Sequence, residues 1–171
     1  LAQLRAEGAR LPDDFIDQMY ALSEHAFLNE LEPIAGVRRV VELAQAHCGI
    51  AVASNAPRLN LLRNLVTTGY DDLIPPELCF SGLDVANPKP APDLHLHVLG
   101  ALNVPAERAM VIEDTPEGDS GARAAGIDVL GVLYAVPDDM KPQRRQAFEA
   151  TDALAVLEGS IVKIRQVWRT T

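Results

Sequence analysis

Alternation between short apolar segments and helix-like segments is the feature that most restricts the fold of this 171-residue chain. Apolar runs of this length are typical of strands buried on both faces, and the segments between them have the length of ordinary helices. The predicted strands are 49–53, 78–81, 109–112, 129–133 and 153–156, and the predicted helices are 37–46, 57–68, 93–102, 117–125, 141–150 and 161–167. Such repeated units predict an α/β fold with a parallel, Rossmann-like sheet.

The first part of the chain has a different pattern and is predicted to form a separate small unit. In a predicted helix over residues 12–31, apolar side chains recur every three or four positions and give the helix one apolar face. Residues 32–36, with a proline and a glycine, interrupt this pattern. We therefore expect one unit over residues 1–33 and a larger α/β unit over residues 34–171.

Composition restricts the partners of the protein. The formal net charge of −9 disfavours nucleic acid and anionic membrane surfaces. No apolar run approaches the ~20 residues that a membrane-spanning helix needs. Cys48 and Cys79 lack metal-ligand or redox spacing, so we expect reduced thiols in the core of a cytoplasmic protein. The oligomeric state is left open.

Polar side chains follow three of the apolar segments at the points where strands are predicted to end. Ser54 and Asn55 follow the first strand, Lys89 lies between two prolines before a helix, and Glu113 and Asp114 end another strand. Open α/β sheets bind ligands at the carboxyl ends of their strands. Two carboxylates suit a hard cation such as Mg²⁺, whereas a hydroxyl and an ammonium suit a phosphoryl group.

These segments resemble three motifs of the haloacid dehalogenase (HAD) superfamily, in particular its branch of sugar-phosphate phosphatases and β-phosphoglucomutase-like enzymes. Val-Ala-Ser-Asn, ending at Asn55, resembles the second motif, whose serine binds phosphate. Asn-Pro-Lys-Pro-Ala-Pro-Asp, around Lys89, resembles the third, whose lysine neutralises the nucleophile and the phosphate. Val-Ile-Glu-Asp-Thr-Pro-Glu-Gly, around Asp114, resembles the fourth, which helps to hold Mg²⁺. Residues 1–33 resemble the end of a helical cap.

The resemblance implies a Mg²⁺-dependent phosphatase of small phosphorylated metabolites such as sugar phosphates. Ser54, Asn55 and Lys89 would bind the phosphate, with Lys89 also acting in catalysis. Asp114 and Glu113 would bind the metal. The family's first motif, Asp-x-Asp, carries the nucleophile at the end of the first strand, yet no two aspartates in this sequence lie two residues apart. The nucleophile and its strand are therefore expected upstream of these residues, and this segment alone is expected to be inactive.

Other functions compatible with the sequence remain open. One is a truncated or degenerate homologue that binds phosphate or a partner without turnover. A second is a phosphomutase of the β-phosphoglucomutase type, which returns the phosphate to the sugar. A third is a dehalogenase, whose chemistry uses no metal, and the Glu113–Asp114 pair argues against it.

Each candidate residue also has an interpretation without function. In that interpretation Lys89 is a solvated loop lysine, Glu113 and Asp114 are acids at a helix terminus, and the Ser-Asn pair 54–55 caps a helix. His95 and His97 are two positions apart on a predicted helix and do not face each other. We therefore expect both to be surface or packing residues rather than metal ligands. Asp119 stands where members of the HAD family usually carry an apolar residue, and it is given no catalytic role.

Overall fold

A computed structural model describes most of the chain. The described residues are 8, 10, 12–15, 18, 19, 22, 23, 25, 26, 30–151 and 153–158. The chain divides into two compact units, Leu1–Glu32 and Pro33–Thr171. In the first unit, the described residues between 15 and 26 are helical, but Met19 and Leu22 are 45% and 67% exposed. Interpretation of this unit as part of a cap stays a prediction.

The strands of the second unit form two parallel sheets. They are β1 (Val52–Ser54), β2 (Cys79–Ser81), β3 (Met110–Glu113), β4 (Asp128–Val132) and β5 (Ala155–Leu157). β1 pairs with β2, and the other three follow the order β3-β4-β5. The parallel pairing confirms the predicted fold class. Within the described part of the chain, β1 and β3 are each paired along one edge only.

The helices follow the predicted pattern closely. They are α1 (Val37–Gln45), α2 (Arg58–Thr68), α3 (Asp93–Leu102), α4 (Pro116–Ala124) and α5 (Lys141–Ala150). Two of these match the predicted bounds and the others differ by one residue. The helix predicted over 161–167 lies outside the described residues. Three single 3₁₀ turns were not predicted, because one turn leaves too short a periodic pattern to recognise.

Local chemistry explains where these helices begin and end. Gly69 and Gly126 follow α2 and α4 with φ angles of 70° and 77°, a left-handed conformation that glycine adopts readily. Thr115 caps α4, because its hydroxyl accepts a hydrogen bond from the Gly118 N–H at 3.2 Å. Pro116 is the first residue of the helix, where a missing N–H costs nothing.

Apolar side chains from both sheets form the core. One cluster contains Leu61 and Cys79 beside β1 and β2, and another places Phe148 of α5 against the end of β4. The ring of Phe148 lies so close to Gly131 that a Cβ there would be 2.8 Å from it. Both cysteines are free thiols, but only Cys79 is a core residue, because Cys48 lies in the exposed turn after α1. Among the described helices, none has the length and apolarity needed to cross a membrane.

Candidate functional site

A cavity of about 530 Å³ lies where the carboxyl ends of β1 and β3 approach each other. All five residues predicted for the site line this cavity: Ser54, Asn55, Lys89, Glu113 and Asp114. Thr115 and Glu117, at the start of α4, also line it and were not predicted. Among the five predicted residues, the structure thus brings together side chains that are as much as 60 positions apart in the sequence.

Lys89 is held in a fixed position inside this cavity. Its ammonium donates to Oε2 of Glu113 at 2.9 Å and to the backbone carbonyl of Ala53 at 3.1 Å. The side chains of Lys89 and Glu113 are each only 10% exposed. Lys89 is therefore not a solvated surface lysine. Its ammonium connects the end of β1 with the end of β3.

Glu113 is bound through both carboxylate oxygens. While Oε2 accepts from Lys89, Oε1 accepts from the N–H groups of Asp114 and Thr115, each at 3.1 Å, and from the Thr115 hydroxyl at 2.8 Å. Burial opposes ionisation, but the Lys89 charge and these hydrogen bonds outweigh it and lower the pKa of Glu113. A Cβ at Gly118 would lie 1.9 Å from Oε2, so only glycine leaves room for the carboxylate.

Asp114 is adjacent in sequence but has a different environment. Its residue is exposed, and within the described part of the chain its carboxylate takes part in no ion pair shorter than 4.0 Å. Partial desolvation and the adjacent Glu113 carboxylate raise the pKa of Asp114, while the charge of Arg144 opposes them. Like Glu117, Asp114 therefore brings to the cavity a carboxylate without an ion pair among the described residues, and repulsion from Glu113 favours a cation beside it.

Ser54 and Asn55 differ in what they bind. The Ser54 hydroxyl accepts a hydrogen bond from the Ala56 N–H at 3.2 Å. The Asn55 side chain instead binds the backbone of Lys89: its Nδ2 donates to the carbonyl, and its Oδ1 accepts from the N–H, both at 3.0 Å. This contact was missed because nothing in the local pattern around Asn55 indicates a partner 34 residues away.

Of the two histidines of α3, His95 packs within the fold, whereas His97 is exposed. His95 is 3% exposed, and neither ring nitrogen has a hydrogen-bond partner among the described residues. Burial, with a further contribution from the Lys89 charge, lowers the pKa of His95 to about 4. His97 makes an edge-to-face contact with Phe80, with ring centroids 5.6 Å apart. Neither histidine lines the cavity described above.

The side chains fit a metal ion only in part. No group of three or more His, Cys, Asp or Glu residues within the described ranges is arranged to hold one. Asp114 has the oxygen chemistry that Mg²⁺ prefers and a carboxylate free to use. Glu113 is already bound on both oxygens. The described residues therefore offer the carboxylates of Asp114 and Glu117 rather than a complete site.

Comparison with known proteins agrees with this geometry. Residues 4–132 match the family described as haloacid dehalogenase-like hydrolases. The chain belongs to this family. A phosphorylated carbohydrates phosphatase of Thermotoga maritima is 30% identical over 131 residues, which are 74% of this chain and 58% of that relative. The chain thus spans little more than half the length of this HAD relative.

Solved structures of the HAD family resemble the fold. A conserved haloacid dehalogenase-like protein from Agrobacterium tumefaciens has a TM-score of 0.84 at 24% identity, covering 99% of this chain and 75% of that one. A HAD family hydrolase from Deinococcus radiodurans, solved with bound phosphate and sodium, has a TM-score of 0.79 at 25% identity. That match covers 98% of this chain and 72% of the other.

Proposed function

We propose that this protein is a Mg²⁺-dependent phosphatase of small phosphorylated metabolites. The observation that carries the proposal is the nearly buried Lys89, paired with Glu113 and lying in one cavity with Ser54 and Asp114. An ammonium that has lost most of its contact with water interacts strongly with an incoming anion. A carboxyl group in a cleft whose pKa is shifted by a charged partner, as that of Glu113 is, is typical of functional sites.

In this proposal, Ser54 and Lys89 bind the phosphate group. Among the described residues the Ser54 hydroxyl makes one hydrogen bond, as an acceptor, so its proton is available to a phosphate oxygen. Lys89 remains paired with Glu113 and adds a second interaction to the bound anion. It thereby neutralises the charge that develops on the phosphoryl oxygens during transfer.

The charge of the cavity supports a divalent cation. Among the described residues, three carboxylates line it, those of Glu113, Asp114 and Glu117, together with one ammonium, that of Lys89. Because that ammonium is paired with Glu113, a phosphate dianion would meet uncompensated negative charge at Asp114 and Glu117. We propose that Asp114 is a Mg²⁺ ligand and that Glu113 supports it by holding Lys89. When bound, Mg²⁺ supplies charge neutralisation for the phosphate oxygens.

The attacking group is proposed to come from outside these 171 residues. The sequence contains no Asp-x-Asp, and β1 and β3 each present an unpaired edge within the described part of the chain. A strand paired with both would end at the cavity. The first aspartate of an Asp-x-Asp there would attack phosphorus, and the second would give its proton to the substrate alcohol as that alcohol leaves. Water, losing a proton to the second aspartate, would then hydrolyse the aspartyl-phosphate to release phosphate.

The proposed substrate class is phosphorylated carbohydrates. The support is the name of the Thermotoga maritima relative, a phosphorylated carbohydrates phosphatase. The cavity volume of about 530 Å³ is compatible with a small metabolite. The predicted cytoplasmic location stays a prediction.

Two binding measurements and one activity measurement test the proposal. Calorimetry with inorganic phosphate and thermal unfolding with Mg²⁺ are carried out on the chain, on Lys89→Ala and on Asp114→Asn. We expect Lys89→Ala to weaken phosphate binding about tenfold or more, since it removes the charge-assisted contact. We expect Asp114→Asn to remove the Mg²⁺-dependent rise in Tm. Hydrolysis of an aryl phosphate with Mg²⁺ is then followed in a longer protein that includes the proposed upstream strand.

Asp139→Asn is the matched control, because Asp139 is exposed and does not line the cavity. It should leave phosphate binding and the Mg²⁺ response unchanged. If neither phosphate nor Mg²⁺ binds the chain more tightly than it binds the two site variants, the proposal is wrong. Binding without turnover in the longer protein would instead favour the non-catalytic homologue.

A further inference from the structure

We propose that Asn55 is a positioning residue that fixes the backbone of the Lys89 loop, rather than a ligand of the phosphate. The Lys89 loop is defined here as residues 87–92, between β2 and α3. The catalytic consequence of this role rests on the proposed function. Its structural part, however, can be tested without any substrate.

Both polar atoms of the Asn55 side chain form hydrogen bonds with the backbone of one residue, Lys89. The Nδ2 group donates to the Lys89 carbonyl and Oδ1 accepts from the Lys89 N–H, at 3.0 Å each. These two hydrogen bonds reproduce the pairing that a neighbouring strand would give to Lys89. One Nδ2 hydrogen and Oδ1 are thus committed to the loop backbone, and the second Nδ2 hydrogen is the side-chain donor that Asn55 keeps for the cavity.

Gly82 leaves the space in which the Asn55 amide lies. A Cβ at Gly82 would be 2.4 Å from Asn55 Oδ1, 3.1 Å from the Pro88 Cβ and 3.2 Å from the Asn55 Cα. Such distances are too short for any side chain unless the amide moves away. The residue after β2 therefore has to be small for Asn55 to reach Lys89.

A second pair of hydrogen bonds also restrains the Lys89 loop, but it involves α3 rather than the end of β1. The Asp93 carboxylate at the start of α3 accepts from the backbone N–H and the side-chain amide of Asn87, at 3.2 and 2.9 Å. These bonds close the loop onto α3. Among the described residues, the bonds from the side chain of Asn55 are those that tie the loop backbone to the end of β1.

Lys89 is consequently held at both ends. Asn55 holds its backbone, and Glu113 with the Ala53 carbonyl holds its ammonium. Without Asn55 the ammonium keeps its partners but the loop carrying it can shift. Small displacements of a charged group cost rate more than they cost binding, since charge stabilisation depends on position in the transition state.

Hydrogen exchange of the Lys89 amide, followed by NMR in the absence of phosphate and metal, tests the structural part. We expect Asn55→Ala to accelerate exchange of this amide about tenfold, because its acceptor is removed. Asn55→Asp keeps an oxygen acceptor and should retain most of the protection. Gly82→Ala displaces the Asn55 amide and should accelerate exchange as Asn55→Ala does. The amide of Leu130 in β4 reports on global stability and should not change.

Asn60→Ala is the matched control, since Asn60 is also an asparagine and lies on α2 outside the cavity. It should leave the Lys89 amide protected. Unchanged Lys89 exchange in Asn55→Ala overturns the proposal. The proposal is also overturned if Asn55→Ala loses as much phosphate affinity as Ser54→Ala while hydrogen exchange of the Lys89 amide is unchanged.

Separate measurement of kcat and KM in the longer protein completes the test. Asn55→Ala should lower kcat about tenfold and change KM less than twofold, whereas Ser54→Ala should raise KM. Should no variant bind phosphate while the Lys89 amide still loses protection in Asn55→Ala, the positioning role stands and the proposed function fails.

Discussion

Two acidic side chains that are largely removed from solvent, Glu113 at the end of β3 and Asp119 in α4, have opposite environments. The Glu113 side chain is 10% exposed, pairs with Lys89 and accepts three further hydrogen bonds. Asp119 is fully buried and accepts from the Thr151 hydroxyl, while its Oδ1 has no partner in the described part of the chain. The pKa of Glu113 is lowered, because the Lys89 charge outweighs burial. Burial raises the pKa of Asp119.

This difference shows that burial alone does not decide how an acid behaves. A cation within hydrogen-bond distance keeps Glu113 ionised in a place where water is largely excluded. Asp119 has a hydroxyl in place of a cation, so its ionised form is costly. The first arrangement belongs to the cavity, whereas the second ties α4 to the end of α5 and lies outside the cavity lining.

Removal of the Lys89 ammonium should leave the Glu113 carboxylate buried without a cation, as the Asp119 carboxylate is. We expect Lys89→Met to lower the free energy of unfolding by about 3 kcal/mol at pH 7, because it leaves a buried carboxylate unpaired. Urea denaturation measures this loss. The control is Lys141→Met, whose partner Asp138 is 95% exposed, and it should cost less than about 1 kcal/mol. Equal losses in the two variants would show that the Lys89 pair behaves as a surface ion pair.

The imidazole of His95 shows the effect of desolvation on a side chain that has no hydrogen-bond partner among the described residues. The charged groups that act on it are Lys89 and Glu113, and its folded-state pKa is lowered from 6.5 to about 4. The unfolded chain therefore gains a proton below pH 6.5 that the folded protein gains only near pH 4. The stability that neutral His95 contributes is complete above pH 6.5 and falls by about 3 kcal/mol as the pH approaches 4.

His95→Leu should remove that part of the pH dependence. Urea denaturation between pH 7 and 4.5 should show a smaller decline for this variant than for the unmodified chain. His47→Leu is the control, because His47 is exposed and should leave the decline unchanged. If the difference in the free energy of unfolding between His95→Leu and the unmodified chain stays constant with pH, the lowered pKa of His95 is contradicted.

Replacing Asp119 should have the smallest effect and the opposite sign. Because its folded-state pKa is raised, the folded protein is most stable when this group is protonated, and stability is lost as the pH rises through that pKa. We expect Asp119→Asn to raise the free energy of unfolding by on the order of 1 kcal/mol at pH 7. Thermal unfolding should show the gain shrinking as the pH falls toward 4. A loss of stability at every pH would mean that the carboxylate is favourable as an anion.

Much of the fold was predictable because its signals are local. Apolar runs marked each strand within a few residues, and Gly69 and Gly126 marked helix ends where a left-handed backbone is needed. Thr115 followed by Pro116 marked the start of α4. Positions of the candidate site residues at strand ends followed from the same pattern, since parallel strands end at one edge of a sheet.

Other features could not be predicted, because they depend on contacts between distant segments. Cys48 was expected in the core, yet the turn after α1 leaves it exposed. Nothing near Gly118 in the sequence shows that the Glu113 carboxylate would occupy the space of its side chain. Likewise, nothing near Asn55 in the sequence shows that its amide binds the backbone of Lys89, and its contact with phosphate stays a prediction.

The sequence by itself determined the order of strands and helices, the helix ends, and which polar residues lie at strand ends. Periodicity and backbone preference act over a few residues, so they can be read without a partner. Only the tertiary structure decided which of those polar groups pair. It joined Lys89 to Glu113 and Asn55, and within the described part of the chain it left Asp114 without an ion pair. Pairing depends on distances set by packing, and packing is a property of the whole folded chain.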